Sequence, residues 1–539
     1  MRAFVSARWP LFVAAAATLA YAVCVLGFGL VFRPLHNDEG VTLGVASSKS
    51  VRGVLDLAIN YRHGPPLHYV LVHMSLLWRD DVLGLRFPSA LLGIISVPLA
   101  YGYGRELLGR AGGAIVAVVV ALSPVVVNLG QFSRGYTAML AATFASLWLL
   151  LVLTRTRRAR WILPYAVVAT LLAASHPFGL FALFSELILL VLLGFLPMLR
   201  HRERRDRRAM AVVGGAALLG AAAFLALRHA YAPLQEKYHV GEGSSVVDPL
   251  SSAFWGDLAK AVTGHSSTVL WMLLIAIVLA GLAVLLARDR RAALVCAVWL
   301  GQPLISLTIL TATSSDFAPE RHLSFLLPGY AAAVAAVVAE LARRIPRHGA
   351  LVAAALLTLF LTPGMVAIVN DVGNFTPGLR DASLGMAERF GPDDVLLTTA
   401  GGSEPGVASR LYGAYAVLEA PDSSPLSSWE HVGDATQCVL IDRLSQRPAP
   451  EAVWLLLRPP DPPAVEEQLT LLGADPVSVN GEFVTARIPL RRHTTYRALR
   501  AGARAFRATA GVSQPIRDFS TVAGIYRVAA AEARAGACL

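Results

Sequence analysis

The sequence predicts a polytopic α-helical membrane protein of about eleven transmembrane helices with a C-terminal extracytoplasmic α/β domain. Three observations lead to this fold class. The chain of 539 residues is 55% hydrophobic and only 15% charged, whereas a typical soluble domain is about 25% charged. Its apolar residues form long runs that approach the ~20 residues needed to cross a bilayer. Its arginines cluster in short segments between those runs.

Eleven apolar segments are long enough, or nearly so, to cross a bilayer as helices. They lie near residues 11–32, 86–104, 111–130, 136–154, 161–175, 178–199, 209–230, 267–287, 291–311, 323–342 and 349–369. The first is too long for the apolar region of a signal peptide and is predicted to be a retained helix. The apolar stretch 66–79 is shorter and contains two histidines and a tryptophan, which predicts an interfacial helix.

The distribution of basic residues predicts the orientation. With the N-terminus in the cytoplasm, the cytoplasmic segments are 1–10, 105–110, 154–161, 200–208, 287–291 and 343–348. These segments hold 20 Lys and Arg in 44 residues, more than fourfold denser than the outside loops, as the positive-inside rule expects. The net charge of +11 therefore arises at span ends and not in one basic stripe, which argues against nucleic-acid binding. The predicted location is the plasma or inner membrane.

The chemical character changes after residue 370. Residues 371–539 contain no spanning run, and short apolar stretches such as 395–397 and 453–457 resemble strands. We therefore predict a membrane module at residues 1–370, whose first outside loop is 33–85, and an extracytoplasmic α/β domain at 371–539 with basic C-terminal helices. Cys438 and Cys538 lie in this domain, and the sequence leaves open whether they pair.

Two adjacent carboxylates, Asp38 and Glu39, follow the first span. Charged groups at a membrane surface cost free energy unless water solvates them or they take part in binding or catalysis. One carboxylate there can take a proton from an acceptor hydroxyl as that hydroxyl attacks a sugar carbon. Its neighbour can orient the base or hold a cation. The alternative is a solvated turn, since Asn-Asp-Glu-Gly is ordinary loop material.

Further polar clusters fall on the same outside face in this topology. His63, His68 and Tyr69 flank two prolines at the start of the interfacial helix, where they can contact phosphate or sugar or simply anchor the interface. Arg134, beside Tyr136, follows the third span and suits a lipid phosphate. The alternative for Arg134 is a snorkelling side chain.

The remaining candidates lie at other span ends or inside a span. His176 occupies the turn between the fifth and sixth spans, and His265 lies in the long loop 231–266. Arg321 and His322 open the tenth span and suit an anion, whereas His176 alone is more often structural. Glu186 lies inside the sixth span, where an acid is a functional candidate or a hydrogen-bonded structural group.

Taken in order, these motifs resemble the polytopic GT-C glycosyltransferases, in particular the family of protein O-mannosyltransferases and ArnT-like lipid A aminoarabinose transferases (glycosyltransferase family 39). The resemblance spans roughly residues 10–345. The matching elements are Asp38-Glu39, Pro65-Pro66-Leu67-His68-Tyr69, the stretch from Arg86 to Gly93, Ser133-Arg134-Gly135-Tyr136, and Arg321-His322-Leu323 running to Pro328. Some relatives have a second acid shortly after the Ser-Arg element, where this chain has Met139 and Leu140, so a metal role is left open.

The resemblance implies an inverting membrane glycosyltransferase with a polyprenyl-phosphate sugar donor and Asp38 as general base. The acceptor would be an extracytoplasmic hydroxyl on a glycan, protein or lipid of the cell envelope. Glu39 would hold the base or the acceptor, and Arg134, Arg321 and His322 would bind the donor phosphate. The motifs require no cofactor and leave open whether a divalent cation binds. Two alternatives remain: a lipid or sugar transporter or flippase, and a non-catalytic membrane protein that binds a cell-envelope polymer.

Overall fold

A computed structural model of the chain describes residues 2–27, 30, 35, 37–61, 64–195, 268–313, 321–345, 379–387, 389, 395–398, 452–457, 463, 466, 477–480 and 483–489. The chain divides into two compact units: residues 1–32 with 45–371, and residues 33–44 with 372–539. His63, His265, the cysteine pair and the predicted seventh and eleventh spans lie outside the described residues. The domain boundary predicted at residue 370 stays a prediction.

Helices make up the described part of the first unit. They are α1 (Arg2–Gly27), α2 (Asn37–Ala46, which crosses the boundary between the units), α3 (Val51–Asp56), α4 (Leu67–Trp78), α5 (Val82–Ala121), α6 (Pro124–Gly130), α7 (Tyr136–Thr156), α8 (Ile162–Ser175), α9 (Gly179–Leu189), α10 (Thr268–Arg288), α11 (Arg290–Thr313) and α12 (Leu327–Arg344). Short π-helices span Leu57–Tyr61 and Leu190–Phe195, and short 3-10 helices span Ala159–Trp161 and Arg321–Leu326.

Nine of the eleven predicted spans fall on these helices. Within the described residues, four segments are long and apolar enough to cross a membrane: Trp9–Gly27, Val82–Ala121, Tyr136–Thr156 and Ser324–Arg344. Shorter apolar helices accompany them, among them the predicted interfacial helix α4. The chain is therefore a multi-pass membrane protein, while the total of eleven spans and the orientation stay predictions.

The second and third predicted spans form a helical hairpin that turns at Gly109. This residue has φ +80°, a conformation that suits glycine, in the middle of α5. The two arms pack closely, since a Cβ on Gly113 would lie 2.7 Å from both the Arg105 nitrogen and the Tyr101 carbonyl oxygen. The turn falls within the segment 105–110 that the basic residues predict to be a loop.

Residues predicted to share the cytoplasmic side contact one another at one end of this unit. Arg155, at the end of α7, forms an ion pair with Glu106 in α5. Arg291, at the start of α11, donates to the Thr154 hydroxyl oxygen at 3.3 Å. These contacts group the span ends in the way that the charge pattern predicts.

The acid inside the sixth predicted span, Glu186, is fully buried in α9. The Ser146 hydroxyl of α7 donates to one carboxyl oxygen at 2.5 Å, and the Tyr165 hydroxyl of α8 donates to the other at 3.0 Å. Because both carboxyl oxygens have partners on neighbouring helices, the geometry favours the structural interpretation of Glu186.

Replacing Glu186 with Leu is expected to destabilise the protein by about 1–3 kcal/mol, since it leaves the buried Tyr165 hydroxyl without an acceptor, whereas the Ser146 hydroxyl keeps the Thr143 carbonyl oxygen at 3.1 Å. The Glu186→Gln variant keeps an acceptor and adds a donor, so its loss should be near 1 kcal/mol or less. Thermal unfolding of the purified protein in detergent measures both. Equal melting temperatures for the Leu variant and the wild type would contradict this structural role.

The second unit contains a four-stranded sheet in the order β1-β2-β4-β3. Its strands are β1 (Val395–Thr398), β2 (Ala452–Leu457), β3 (Val477–Asn480) and β4 (Phe483–Pro489). β1 and β2 are parallel, with Val395 opposite Val453, and the other pairs are antiparallel. A helix, α13 (Leu379–Ala387), packs against β3 and β4. The two stretches predicted as strands lie in β1 and β2, and the α/β classification of the whole domain stays a prediction.

Candidate functional site

Helix α4 begins directly after Pro66. Proline suits the start of a helix because it lacks a backbone N–H, and the N–H groups of the first turn have no partner within the helix. One side of α4 is buried and includes His68, Tyr69 and His73. Its other side is apolar and exposed, with Leu77 and Trp78 at 71% and 68% exposure. A helix that is buried on one side and presents large apolar residues on the other suits the membrane interface, and the interfacial location of α4 stays a prediction.

The turn between α6 and α7 is anchored to the first turns of α5. The Ser133 hydroxyl is buried and donates to the Leu85 carbonyl oxygen at 2.7 Å. The Ser89 hydroxyl donates to the Arg134 carbonyl oxygen at 3.3 Å. These bonds fix the backbone that presents the Arg134 side chain.

The same turn is joined to α4 by two adjacent residue pairs, which we call the Arg134 clasp (His68, Tyr69, Ser133 and Arg134). The Arg134 Nη1 donates to the Tyr69 hydroxyl oxygen at 3.4 Å. The His68 Nε2 lies 3.4 Å from the Ser133 hydroxyl oxygen. Because the Ser133 hydrogen points to Leu85, His68 is the donor in this second pair. The contact with neutral Tyr69 orients the guanidinium without cancelling its charge.

Arg134 also precedes the N-terminus of α7, where the helix dipole favours anions. Gly135 is the N-cap of α7. A Cβ on Gly135 would lie 2.2 Å from the Ser175 carbonyl oxygen and 3.6 Å from the His68 Cβ. The glycine therefore allows the start of α7 to approach the end of α8.

The Gly135→Ala variant is expected to lose about 1–3 kcal/mol of stability, since its methyl group must displace the Ser175 backbone. The matched control is Gly301→Ala within α11, where a Cβ would meet nothing within 4 Å. There the gain in helix propensity should leave stability unchanged or raise it by up to ~1 kcal/mol. Melting temperatures in detergent compare the two variants. An equal effect at both positions would contradict the close packing at Gly135.

Aromatic rings continue from this turn across the same end of the unit. The Tyr136 and His176 rings lie 4.5 Å apart between centroids, and the Phe178 amide donates to the His176 Nδ1 at 3.3 Å. This bond places the proton of a neutral His176 on Nε2. Phe178 in turn stacks on Phe325 at 5.8 Å, within the 3-10 helix Arg321–Leu326.

That 3-10 helix leads into α12, and Arg321 and His322 are its first two residues. It is held by the Trp299 indole, whose Nε1 donates to the Phe325 carbonyl oxygen at 2.7 Å. The structure therefore places the segments that contain Arg134, His176 and Arg321 at one end of the first unit, and the outside location of that end stays a prediction.

The two predicted carboxylates lie in the first turn of α2, within residues 33–44 of the second unit. Asp38 is partly exposed and Glu39 is buried. The Thr42 hydroxyl donates to the Asp38 carbonyl oxygen at 2.9 Å. A carboxylate in the first turn of a helix is favoured by the dipole whether or not it has a function. In the part of the chain that the structure describes, no group of three metal-binding residues occurs.

The sequence places Arg86 and Ser133 in the family motifs but assigns neither of them an anchoring role. Arg86 is fully buried at the start of α5, and its Nη1 donates to the Leu30 carbonyl oxygen at 2.9 Å. It therefore ties the chain beyond α1 to α5. The signal available in the sequence was a charged residue opening an apolar run, in the stretch from Arg86 to Gly93.

The family model for dolichyl-phosphate-mannose-protein mannosyltransferases matches residues 62–226. This range includes the Arg134 clasp, Tyr136 and His176. No curated relative matches the chain by sequence.

Solved structures of GT-C enzymes share the fold. ArnT from Cupriavidus metallidurans in the apo state is 13% identical with a TM-score of 0.56, covering 90% of this chain and 98% of that one. The same protein bound to undecaprenyl phosphate is 13% identical with a TM-score of 0.55, covering 89% and 98%. Archaeal AglB from Archaeoglobus fulgidus, in complex with an inhibitory peptide and a dolichol-phosphate, is 11% identical with a TM-score of 0.52, covering 84% and 70%. The resemblance predicted from the motifs is thereby confirmed.

Proposed function

We propose that this chain, a multi-pass membrane protein with the fold of the GT-C glycosyltransferases, transfers a sugar from a polyprenyl-phosphate donor to an extracytoplasmic hydroxyl. The reaction is a single displacement that inverts the anomeric centre. The N-terminus is cytoplasmic, the C-terminal domain is extracytoplasmic, and the membrane is the plasma or inner membrane.

The observation that carries the proposal is the Arg134 clasp. It lies in the part of the chain that matches the mannosyltransferase family model. Arg134 is partly exposed, held by Tyr69 and located at the start of α7. A guanidinium fixed at a helix N-terminus and at the end of a span is suited to a phosphate at the membrane surface.

In the proposed reaction the phosphate is the leaving group. The acceptor oxygen forms a bond to the anomeric carbon of the sugar while the bond from that carbon to the phosphate oxygen breaks. The electron pair of the broken bond stays on the polyprenyl phosphate. Arg134, with Arg321 and His322 from the 3-10 helix, stabilises the negative charge that develops there.

Asp38 is the proposed general base. It accepts the proton that the acceptor hydroxyl loses as its oxygen attacks. Glu39 holds the base or the acceptor in place. Support for this step comes from the family resemblance and from the partial exposure of Asp38, whereas Glu39 is buried. A divalent cation at this pair remains a secondary proposal, supported only by the presence of two adjacent carboxylates.

The remaining predicted residues are proposed to contact substrate. Tyr136 and His176 form the aromatic pair beside Arg134 and are proposed to bind the donor sugar. Tyr69 orients Arg134, and His68 holds the same turn through Ser133. His63 and His265 remain proposed substrate ligands from the outside loops.

The relatives suggest which donors to test first. The matching family model is named for dolichyl-phosphate-mannose. The ArnT structure contains undecaprenyl phosphate, and the AglB structure contains a dolichol-phosphate. A mannosyl group on either type of polyprenyl phosphate is therefore the first candidate. The acceptor is proposed to be a glycan, protein or lipid of the cell envelope.

A transporter would instead use polar groups near the bilayer midplane. In the described residues the clearest such group is Glu186, and both of its carboxyl oxygens already accept hydrogen bonds from Ser146 and Tyr165. This arrangement supports a transferase over a transporter.

The test is a screen of the purified full chain in nanodiscs against a panel of polyprenyl-phosphate sugars with envelope-derived acceptors. We expect at least one donor to give a product heavier by one monosaccharide, with release of polyprenyl phosphate. A folded protein that consumes no donor in the panel, yet moves intact donor across a vesicle membrane, would contradict the proposal and favour the transporter.

A further inference from the structure

The last two residues of α7 and the loop that leads to α8, which together we call the arginine loop (residues 155–161), form the most basic short segment among the described residues. Its sequence is Arg-Thr-Arg-Arg-Ala-Arg-Trp, with four arginines and no acid in seven residues. It plays no part in the proposed reaction, because it lies at the C-terminus of α7 whereas Arg134 precedes the N-terminus of the same helix.

The length of α7 sets the depth of this loop. The helix has 21 residues, which corresponds to about 30 Å at 1.5 Å per residue. This equals the thickness of the hydrocarbon core. With α7 across the bilayer, Arg134 and the arginine loop would lie at opposite membrane surfaces, each at the level of the lipid headgroups.

The backbone of the loop leaves the helical conformation at Arg157. Arg157 closes α7 in the left-handed conformation, with φ 54° and ψ 32°, and its amide donates to the Leu153 carbonyl oxygen. A non-glycine residue rarely adopts this conformation. The helix stops there, and a new 3-10 helix begins at Ala159.

The charges of the loop are only partly compensated. Arg155 is paired with Glu106. Arg158 and Arg160 are exposed, and among the described residues neither forms an ion pair. The Arg160 guanidinium carbon lies 5.3 Å from the centre of the Trp161 ring. This cation–π contact positions the guanidinium but leaves its positive charge intact.

We propose that Arg158 and Arg160 bind the phosphate of an anionic phospholipid headgroup, with Trp161 as the interfacial anchor beside them. Two uncompensated guanidinium groups at headgroup depth provide charge-assisted donors for a phosphate diester. The Trp161 ring is partly buried against the apolar core and its indole N–H is buried, so Trp161 anchors the loop through its ring. The loop selects for anionic lipid, since a zwitterionic headgroup offers no net charge to compensate.

The test measures lipid retention by the full chain without any sugar donor, so its result does not depend on the proposed function. The protein is reconstituted in nanodiscs that contain equal parts of phosphatidylglycerol and phosphatidylcholine. Native mass spectrometry then counts the lipids that remain bound after release. We expect retained phosphatidylglycerol in excess of phosphatidylcholine. The Arg158→Gln/Arg160→Gln variant should lower that excess about 25-fold, at about fivefold for each arginine.

The matched control is Lys49→Gln/Arg52→Gln, which removes the same charge from exposed positions near α3 in the first outside loop. This control should retain phosphatidylglycerol as the wild type does, and both variants should keep the wild-type melting temperature. Equal retention in the arginine-loop variant and the wild type would overturn the proposal, as would an equal loss in the control. A free-phosphate site would be indicated instead if 10-fold excess inorganic phosphate displaced the lipid, and this too would overturn it.

Discussion

Replacing Asp38 with Asn is expected to lower the rate of sugar transfer by about 10²–10⁴-fold, the range that general-base catalysis typically contributes. The amide has nearly the same shape as the carboxylate but cannot accept the acceptor proton. The substitution should change kcat far more than the KM for the lipid donor, because Asp38 acts on the acceptor hydroxyl. Initial rates with a lipid donor identified in the panel screen measure the effect.

The matched control for Asp38 is Asp56→Asn. Asp56 is an exposed acid in the same predicted outside loop, and it accepts a hydrogen bond from the Asn60 amide at 2.7 Å. Its variant should transfer sugar within about twofold of the wild-type rate, since an exposed pair of this kind contributes little. A wild-type rate for Asp38→Asn would remove Asp38 from the mechanism, even if transfer itself is confirmed.

The Arg134→Gln variant is expected to lose about 10²–10³-fold in rate, comparable to removing a donor that stabilises transition-state charge. Glutamine keeps a hydrogen-bond donor for Tyr69 but lacks the positive charge. Arg134→Lys should recover part of the rate, because lysine restores charge without the planar geometry of the guanidinium. Transfer rates, with the KM of the donor measured separately, distinguish loss of phosphate stabilisation from weaker donor binding.

Two further variants define how Arg134 acts. Tyr69→Phe removes only the hydroxyl that accepts a hydrogen bond from Arg134 Nη1. The transfer rate should fall less than ~10-fold, because one hydrogen bond contributes about 1 kcal/mol. Arg79→Gln removes an exposed arginine that pairs with Asp81 at 2.6 Å and should leave the rate unchanged. If Arg79→Gln and Arg134→Gln slowed transfer equally, the effect would be general electrostatics and not phosphate stabilisation by Arg134.

The helices of the membrane module could be predicted because lipid imposes a simple rule on the sequence. A span needs about 20 apolar residues, and the predicted segment 136–154 corresponds to α7 at Tyr136–Thr156. Basic residues mark the span ends, and the turn at Gly109 lies in the basic segment 105–110. The short helix α4 was predicted as interfacial from its length, since 66–79 is too short to span.

The contacts within the site could not be predicted in the same way. Tyr69 and Arg134 are 65 positions apart in the sequence, as are His68 and Ser133. Their pairing depends on how α4 packs against the start of α5. Neither the hydropathy pattern nor the charge pattern of the sequence predicts that packing. The same holds for Glu186, since its two partners lie on other helices. Sequence could identify polar residues at one membrane face, but not which of them bond to one another.

Residue patterns alone leave open which reaction the polar residues carry out. The resemblance to a known family adds the hypothesis of sugar transfer. An Asp-Glu pair at the start of a helix is explained equally well by the helix dipole. The order of five motifs along the chain indicated a GT-C enzyme, and the family model and fold likeness confirm that resemblance. The roles of Asp38 and Arg134 remain proposals that rate measurements can decide.

The most direct test of the central claim is the stereochemistry of one turnover by the purified chain. A polyprenyl-phosphate sugar of known anomeric configuration is supplied with an acceptor, and NMR of the product reads the new configuration at the transferred sugar. The account predicts an inverted product together with one polyprenyl phosphate released for each sugar transferred. A product that retains the donor configuration, or release of sugar without a new bond to the acceptor, would contradict direct displacement assisted by Asp38.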